Sequence, residues 1–317
     1  MSENKIRLGI SSCLLGNKVR FDGSHKRDRF LTETLGYYVE YVPVCPEVEL
    51  GLSTPREALR LVGPSDNQRL VFSRSGEDIT ERMTAWAEAR VAALERENLC
   101  GFIFKSKSPS SGMERVKLYD NNGVPRNIGV GLFAKIFMQH FPLLPVEEEG
   151  RLHDPRLREN FIEAIFTLKR WREFLASGKS PGSLVDFHSR HKLLIMSHST
   201  EIYRQLGKLV AQAGTLEQED LYRQYLALLQ KALQLKTTAP KQVNVLHHIL
   251  GYFKKQLSGD EKQEVLAVIE NYRAGQIPLI VPITLLNHFV RKYDQPYLQQ
   301  QVYLNPHPIE LKLRNHV

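Results

Sequence analysis

What most constrains this chain is a change of pattern part-way along it. Through residue 105, short apolar runs alternate with helical stretches, and after residue 183 the strand-like runs disappear. The runs are "KIRLGISS", "YYVEYVPV" and "CGFIFK". Between them lie "SHKRDRFLTETLG", which can carry a helix, and "ITERMTAWAEARVAALEREN", whose apolar residues recur at helical spacing. Parallel strands need a crossover, usually a helix, so this alternation predicts a parallel, Rossmann-like sheet flanked by helices. In "STPREALRLVG", Thr54 as N-cap, Pro55 at the first helical position and Glu57 closing a capping box predict a further helix. "CPEVELGLS" reads as the loop after the second strand. "GVGLFAKIFMQHF" and "LRENFIEAIFTLKRWREFLASG" read as helices joined by the Pro-bounded connector "PLLPVEEEGRLHDP".

From Leu184 onward every periodic segment is helical, from "LVDFHSRHKLLIMSHS" to "PITLLNHFVRKY", and the tail is irregular. The expected organisation is an α/β domain over 1–180, a linker in "GKSPGS" (178–183) and an all-α domain over 184–317. A length of 317 residues suits two cores, since single cores stop growing near ~250 to 300 residues.

Composition narrows the setting. No apolar run approaches the ~20 residues of a membrane span, and "MSENKIRLGISS" lacks a signal-peptide layout, so no membrane partner and a cytoplasmic location are expected. Three cysteines without a CxxC spacing argue against a disulfide framework. The net charge of +8 suits a phosphate-rich partner.

In parallel sheets the loops at the carboxyl ends of strands converge on one crevice. The three runs end in "SSCLLG", "VCPEVELG" and "KSKSPSSG", which should bring Cys13, Cys45 and the serines 106, 108, 110 and 111 to one rim. Two thiols with Glu47 beside one of them suit a metal or iron–sulfur site. A cysteine nucleophile with a histidine base is the competing chemistry, and two buried cysteines beside a polar loop is the plainest reading. Residue pattern alone leaves these three open.

"ISSCLLGNKVRFDG", "VPVCPEVELGLSTPRE" and "GFIFKSKSPSSG" resemble the signature segments of the thiouracil desulfidase family. "FHSRHKLLIMSHS" and "YLNPHP" resemble a YbgA-like helical domain. The fused arrangement is similar to bacterial desulfidases acting on 4-thiouridine in transfer RNA. The resemblance implies a [4Fe–4S] cluster on three cysteines, non-redox desulfuration of a thiolated uracil with release of sulfide, and transfer RNA as partner. Activity on free thiouracil or thionucleosides, a non-catalytic RNA-binding role and a homodimer stay open beside it.

On that reading Glu47 and Ser108 are the expected catalytic residues, and Ser12, Asp22, Ser110 and Ser111 the expected substrate contacts. Hydroxyls can pair with either the carbonyl or the N–H of a pyrimidine. Cys13 and Cys45 are expected ligands. The chain departs from the family where many single-domain relatives read SPSCG, for it carries Ser111 there. The third ligand is then Cys100 on a shorter strand, Ser111 as an alkoxide, or none.

Basic clusters supply expected RNA contacts: Lys26 and Arg27 in "KRDRF", Lys169 and Arg170 in "LKRWREF", and Arg190 and Lys192 on the first C-terminal helix. His188 with His191, and His247 with His248, suit packing or RNA contact better than metal binding, since no acidic or cysteine ligands accompany them.

Overall fold

In the computed structural model, which describes residues 5–120, 122–178 and 180–316, the chain divides into two compact units, Met1–His153 and Asp154–Val317. The first runs β1 (Ile6–Ser11), β2 (Val39–Val44), α1 (Pro46–Glu49), β3 (Leu59–Val62), β4 (Arg69–Phe72), α2 (Thr80–Leu94), β5 (Phe102–Phe104), β6 (Val116–Tyr119), β7 (Pro125–Gly129), α3 (Leu132–His140) and β8 (Val146–Glu148). One four-stranded sheet has the order β2-β1-β5-β8 and is parallel throughout. This is the α/β arrangement with flanking helices that the strand–helix alternation predicts.

β5 is apolar and buried on both faces, and β1 buries Ile6, Leu8 and Ile10 along one face. A Cβ on Gly9 would lie 2.2 Å from the ring of Phe102, its register partner on β5. Phe102, Phe104, Phe133 and Phe137 form one fully buried aromatic cluster that fastens α3 to the sheet.

A second sheet, ordered β4-β3-β6-β7, has no counterpart in the sequence reading. It consumes the segment read as a helix from Thr54. Glu57 does not close a capping box there; its carboxylate accepts the backbone N–H groups of Arg74 and Ser75. Leu59 and Leu61 point to one side at strand period, against the core of Leu70, Val116, Leu118 and Met83. Tertiary burial thus outweighs a local cap, which stabilises by only about 1 kcal/mol. The connector at 142–154 likewise contains a strand, β8, whose three residues pair with β5.

The second unit consists of α4 (Pro155–Ala176), α5 (Pro181–His198), α6 (Thr200–Ala211), α7 (Gln218–Gln234), α8 (Ala239–Gly251), α9 (Gly259–Arg273), α10 (Ile280–Lys292) and α11 (Pro296–Gln299). Here the domain boundary moves. α4 belongs to this unit, with Trp171 stacked at 5.2 Å on Tyr225 of α7 and Asn160 Nδ2 donating to Leu233 O. The expected linker at 178–183 is instead the turn between α4 and α5, with Ser180 capping α5; Lys179 lies outside the described residues.

A charged group is built into this unit. Arg314, fully enclosed, donates from Nε to Glu159 (3.2 Å) and from Nη2 to Glu163 (2.9 Å), and His198 Nε2 stands 3.1 Å from the other Glu163 oxygen. No helix among the described residues is long and apolar enough to cross a membrane.

Candidate active site

The carboxyl ends of β1, β2 and β5 open on a cavity of about 380 Å³. Its lining includes Ser11, Ser12 and Cys13 after β1, Cys45 and Glu47 after β2, and Lys105, Ser106, Lys107, Ser108 and Ser111 after β5. Cys13 sits in a single 3-10 turn closed by Gly16, whose φ of 98° is the left-handed conformation that glycine adopts without steric cost. Cys45 immediately precedes α1, whose first residue is Pro46.

Glu47 is the centre of the polar contacts. Its Oε1 accepts the hydroxyl of Ser110 at 2.6 Å. Its Oε2 accepts the Cys45 thiol at 3.5 Å and lies 3.8 Å from Arg56 Nη2. The hydroxyls of Ser108 and Ser110 are 3.0 Å apart, and the backbone N–H of Ser111 donates to Ser108 Oγ at 3.2 Å. The serine loop is therefore one connected network ending on a carboxylate.

Burial pushes both thiols up: Cys13 to about 11, where Lys105 pulls the other way, and Cys45 to about 12, where Glu47 adds to the rise. Nucleophilic cysteines sit in surroundings that lower the thiol pKa, so the free-nucleophile reading loses ground. A soft cation removes such protons readily, which suits ligation. The cavity otherwise favours anions, with Arg20, Lys26, Arg56, Lys105 and Lys107 against Glu47 as its one carboxylate.

The structure sorts the residues expected from sequence. Cys13, Cys45, Glu47, Ser12, Ser108, Ser111 and Lys26 line the cavity. Ser110 does not: it is fully buried and donates its hydroxyl to Glu47. Asp22 is also outside, its carboxylate taken by Ser24 and facing Arg20 at 3.5 Å. Cys100 is at the wrong end of the sheet. Its N–H donates to Arg7 O, and four residues of β1 separate that level from Ser11, about 13 Å of strand.

The expected RNA contacts elsewhere are engaged internally. Arg27 pairs with Glu33 (3.2 Å), Lys169 with Glu173 (3.5 Å) and Arg190 with Asp186 (2.9 Å). Lys192 lies over the Tyr297 ring at 4.7 Å, and Arg170 is buried on the carbonyl of Pro306. His188 and His191 are buried, His191 Nδ1 donating to Phe187 O at 2.7 Å, and burial pushes them down to about 4 and about 3. Sequence reasoning missed Arg56 and Lys105 as lining residues. Arg56 was hidden inside the segment read as a helix; Lys105 was legible as the residue closing the third strand.

Two family models match the chain: 2-thiouracil desulfurase over residues 8–149, and a protein of unknown function, DUF1722, over residues 192–308. The chain thus joins a segment that matches the 2-thiouracil desulfurase family to a DUF1722 segment. Over 161 residues it is 32% identical to the uncharacterized protein YbgA of Escherichia coli K12, covering 50% of this chain and 95% of that one. Over 108 residues it is 33% identical to the uncharacterized protein YbbK of Bacillus subtilis 168, covering 32% of this chain and 71% of that one. A solved [4Fe–4S]-dependent thiouracil desulfidase, TudS, shares 28% identity with a TM-score of 0.39, over 47% of this chain and 95% of its own. The desulfurase match contains the whole cavity lining described above.

The donors present decide how a cluster fits the desulfurase segment. Two thiols, those of Cys13 and Cys45, reach the cavity together with several serine hydroxyls, Ser111 among them, and the chain's remaining cysteine, Cys100, does not. A three-cysteine set is therefore not available to one site. A cluster there would need an oxygen as third donor, and Ser111, at the end of the serine loop, is the candidate. Among the described residues the one tight trio of other ligand types is Glu159, Glu163 and His307 in the helical unit, where Arg314 already supplies the cation.

Proposed function

We propose that this chain removes sulfur from a thiolated pyrimidine without redox change, releasing sulfide, and that its substrate is 4-thiouridine in transfer RNA. The observation that supports this most is the meeting of Cys13, Cys45, Ser111 and Glu47 on one cavity, whose volume lies at the small end of the range for ligand sites. A [4Fe–4S] cluster held by Cys13, Cys45 and the Ser111 oxygen would supply a soft Lewis acid for the departing sulfur.

The chain's own groups supply the rest. Glu47 is within reach of the cavity and is oriented by Ser110 and Arg56, so it takes a proton from the attacking water. The hydroxide so formed bonds to the thiocarbonyl carbon and the sulfur takes the proton held on Glu47; the C–S bond then breaks to release hydrosulfide as the new hydroxyl gives its proton back to Glu47 and becomes the carbonyl. Ser108 and Ser12 present hydroxyls that pair with the pyrimidine edge. A base inside a folded RNA must leave its stack to reach such a cavity.

The test is sulfide release by anaerobically reconstituted protein from 2-thiouracil, 4-thiouridine and thiolated transfer RNA. We expect release from transfer RNA to exceed that from the nucleoside, and Glu47→Gln to lower kcat by about 10²- to 10⁴-fold. No sulfide from any of the three would end this reading.

A further inference from the structure

A second cavity, of about 370 Å³, adjoins the first and shares Leu59, Lys107 and Pro109 with it. The rest of its lining is Arg60, Arg115, Val116, Lys117, Tyr119 and Asn127. It holds four cations and no carboxylate.

We propose that this second cavity is a phosphate subsite, holding a phosphate of the same nucleotide substrate whose base enters the first cavity. The inference rests on the desulfuration reading above for the identity of the base.

Three observations support it. The first is register. β3 and β6 run parallel with Leu61 opposite Leu118, which sets Arg60 level with Lys117 one residue back along both strands. Leu61 and Leu118 face the core, so Arg60 and Lys117 share the opposite face, on strands about 4.8 Å apart. Like charges directly opposite each other destabilise a sheet unless an anion lies between them. No ion pair involving Arg60, Lys107 or Lys117 occurs among the described residues, and the enclosed Arg60 Nε finds no hydrogen-bond partner among them. Arg60 also stacks on Tyr119, at 5.5 Å from the ring centroid, which fixes its guanidinium.

The second observation is backbone conformation. Of the five non-glycine residues with positive φ among the described residues, Lys107 (61°) and Arg115 (53°) both line this cavity. A left-handed residue with a long side chain costs about 1–2 kcal/mol relative to the right-handed form, and glycine or asparagine would relieve it. The chain instead keeps cations there, and such residues persist where a ligand site requires them.

The third is placement. Lys107 lies between Ser106 and Ser108 of the first cavity, so a ligand spanning both would keep its base at the thiols and its phosphate on sheet residues. Planar arginine forks suit phosphate oxygens.

Two sources offer this phosphate: the terminal group of a mononucleotide and the phosphodiester of an RNA chain. The reconstituted full chain is assayed with 4-thiouridine, its 5′-monophosphate and a thiolated trinucleotide. Separately, binding of plain oligouridylate is followed by fluorescence anisotropy across a salt series. The variant is Arg60→Gln with Lys117→Gln; the control, Arg82→Gln with Arg96→Gln, removes equal charge from exposed positions on and beside α2. We expect the variant to leave desulfuration of the free nucleoside unchanged and to raise KM for phosphorylated substrates by roughly tenfold. We also expect it to lower the slope of log affinity against log salt by about 0.7 per cation removed. A gain already seen with the monophosphate identifies a terminal phosphate, and one seen only with the trinucleotide identifies the phosphodiester. If the variant binds oligouridylate as wild type does, or the control loses as much, the subsite is refuted. If binding shifts as expected but no substrate is desulfurated, the subsite stands and the desulfuration reading falls. Should the double variant fail to fold, the exposed Lys117→Glu change carries the same measurements.

Discussion

At the scale of single residues, Ser111 decides what this site can hold. A hydroxyl is a harder and more basic ligand than a thiol, so a donor set of Cys13, Cys45 and Ser111 would bind soft metal less firmly than three thiolates. We predict that Cys13→Ala and Cys45→Ala lose the iron and acid-labile sulfide taken up on anaerobic reconstitution, while Cys100→Ala retains both. Ser111→Cys should slow iron loss to a chelator relative to wild type. Iron content that depends on Cys100 would overturn this ligand set. Both thiols and Glu47 were legible in the sequence because strand ends converge. The burial of Ser110 was not, since adjacent loop residues point in directions that only the packed loop defines.

At the scale of elements, the serine loop is held by the start of α3. Leu132 N–H donates to Pro109 O at 3.3 Å, Ala134 N–H to Ser110 O at 3.2 Å, and Gly131 N–H to Gly112 O at 2.8 Å. That approach is close enough to exclude a side chain at 131, where a Cβ would lie 2.5 Å from the Ser110 carbonyl. Gly131→Ala should therefore push the loop from the helix, breaking the Ser110–Glu47 hydrogen bond. We expect a loss of about 1–3 kcal/mol in urea denaturation together with a larger loss of kcat. Unchanged midpoint and turnover would show that the loop is set by other contacts. The helices α2 to α10 were readable from periodicity because each buries an amphipathic face. The second sheet was not: its strands span four or five residues, and Thr54, Pro55 and Glu57 imitate a helix start.

At the scale of the whole molecule, the two units are stabilised differently. The first relies on apolar strands and the phenylalanine cluster; the second encloses Arg314 between two glutamates. Burial pushes Glu159 up, its neighbour's charge adding to the rise. On Glu163 burial acts the same way, but the His198 hydrogen bond and the Arg314 charge outweigh it and hold that carboxyl below its ordinary 4.5. A carboxyl lowered in the folded state adds stability above its unfolded pKa and loses it as the pH falls through the folded value. The difference in melting temperature between wild type and Glu163→Gln should therefore narrow as the pH drops below 4.5, and a constant difference would contradict it. Arg314→Met should cost about 3–5 kcal/mol at neutral pH, measured by denaturant unfolding, because it strands two buried carboxyls. By itself the sequence determined the α/β-then-α order and the convergence of Cys13, Cys45 and the serine loop, because periodicity and strand-end position are local properties of the chain, while the family resemblance rested on its motif segments. Tertiary structure alone decided that Cys100 lies beyond reach, that α4 joins the helical unit, and that a second sheet sets Arg60 beside Lys117. Each of those depends on pairing between distant segments, and burial across such pairs outweighs the local preferences that a sequence displays.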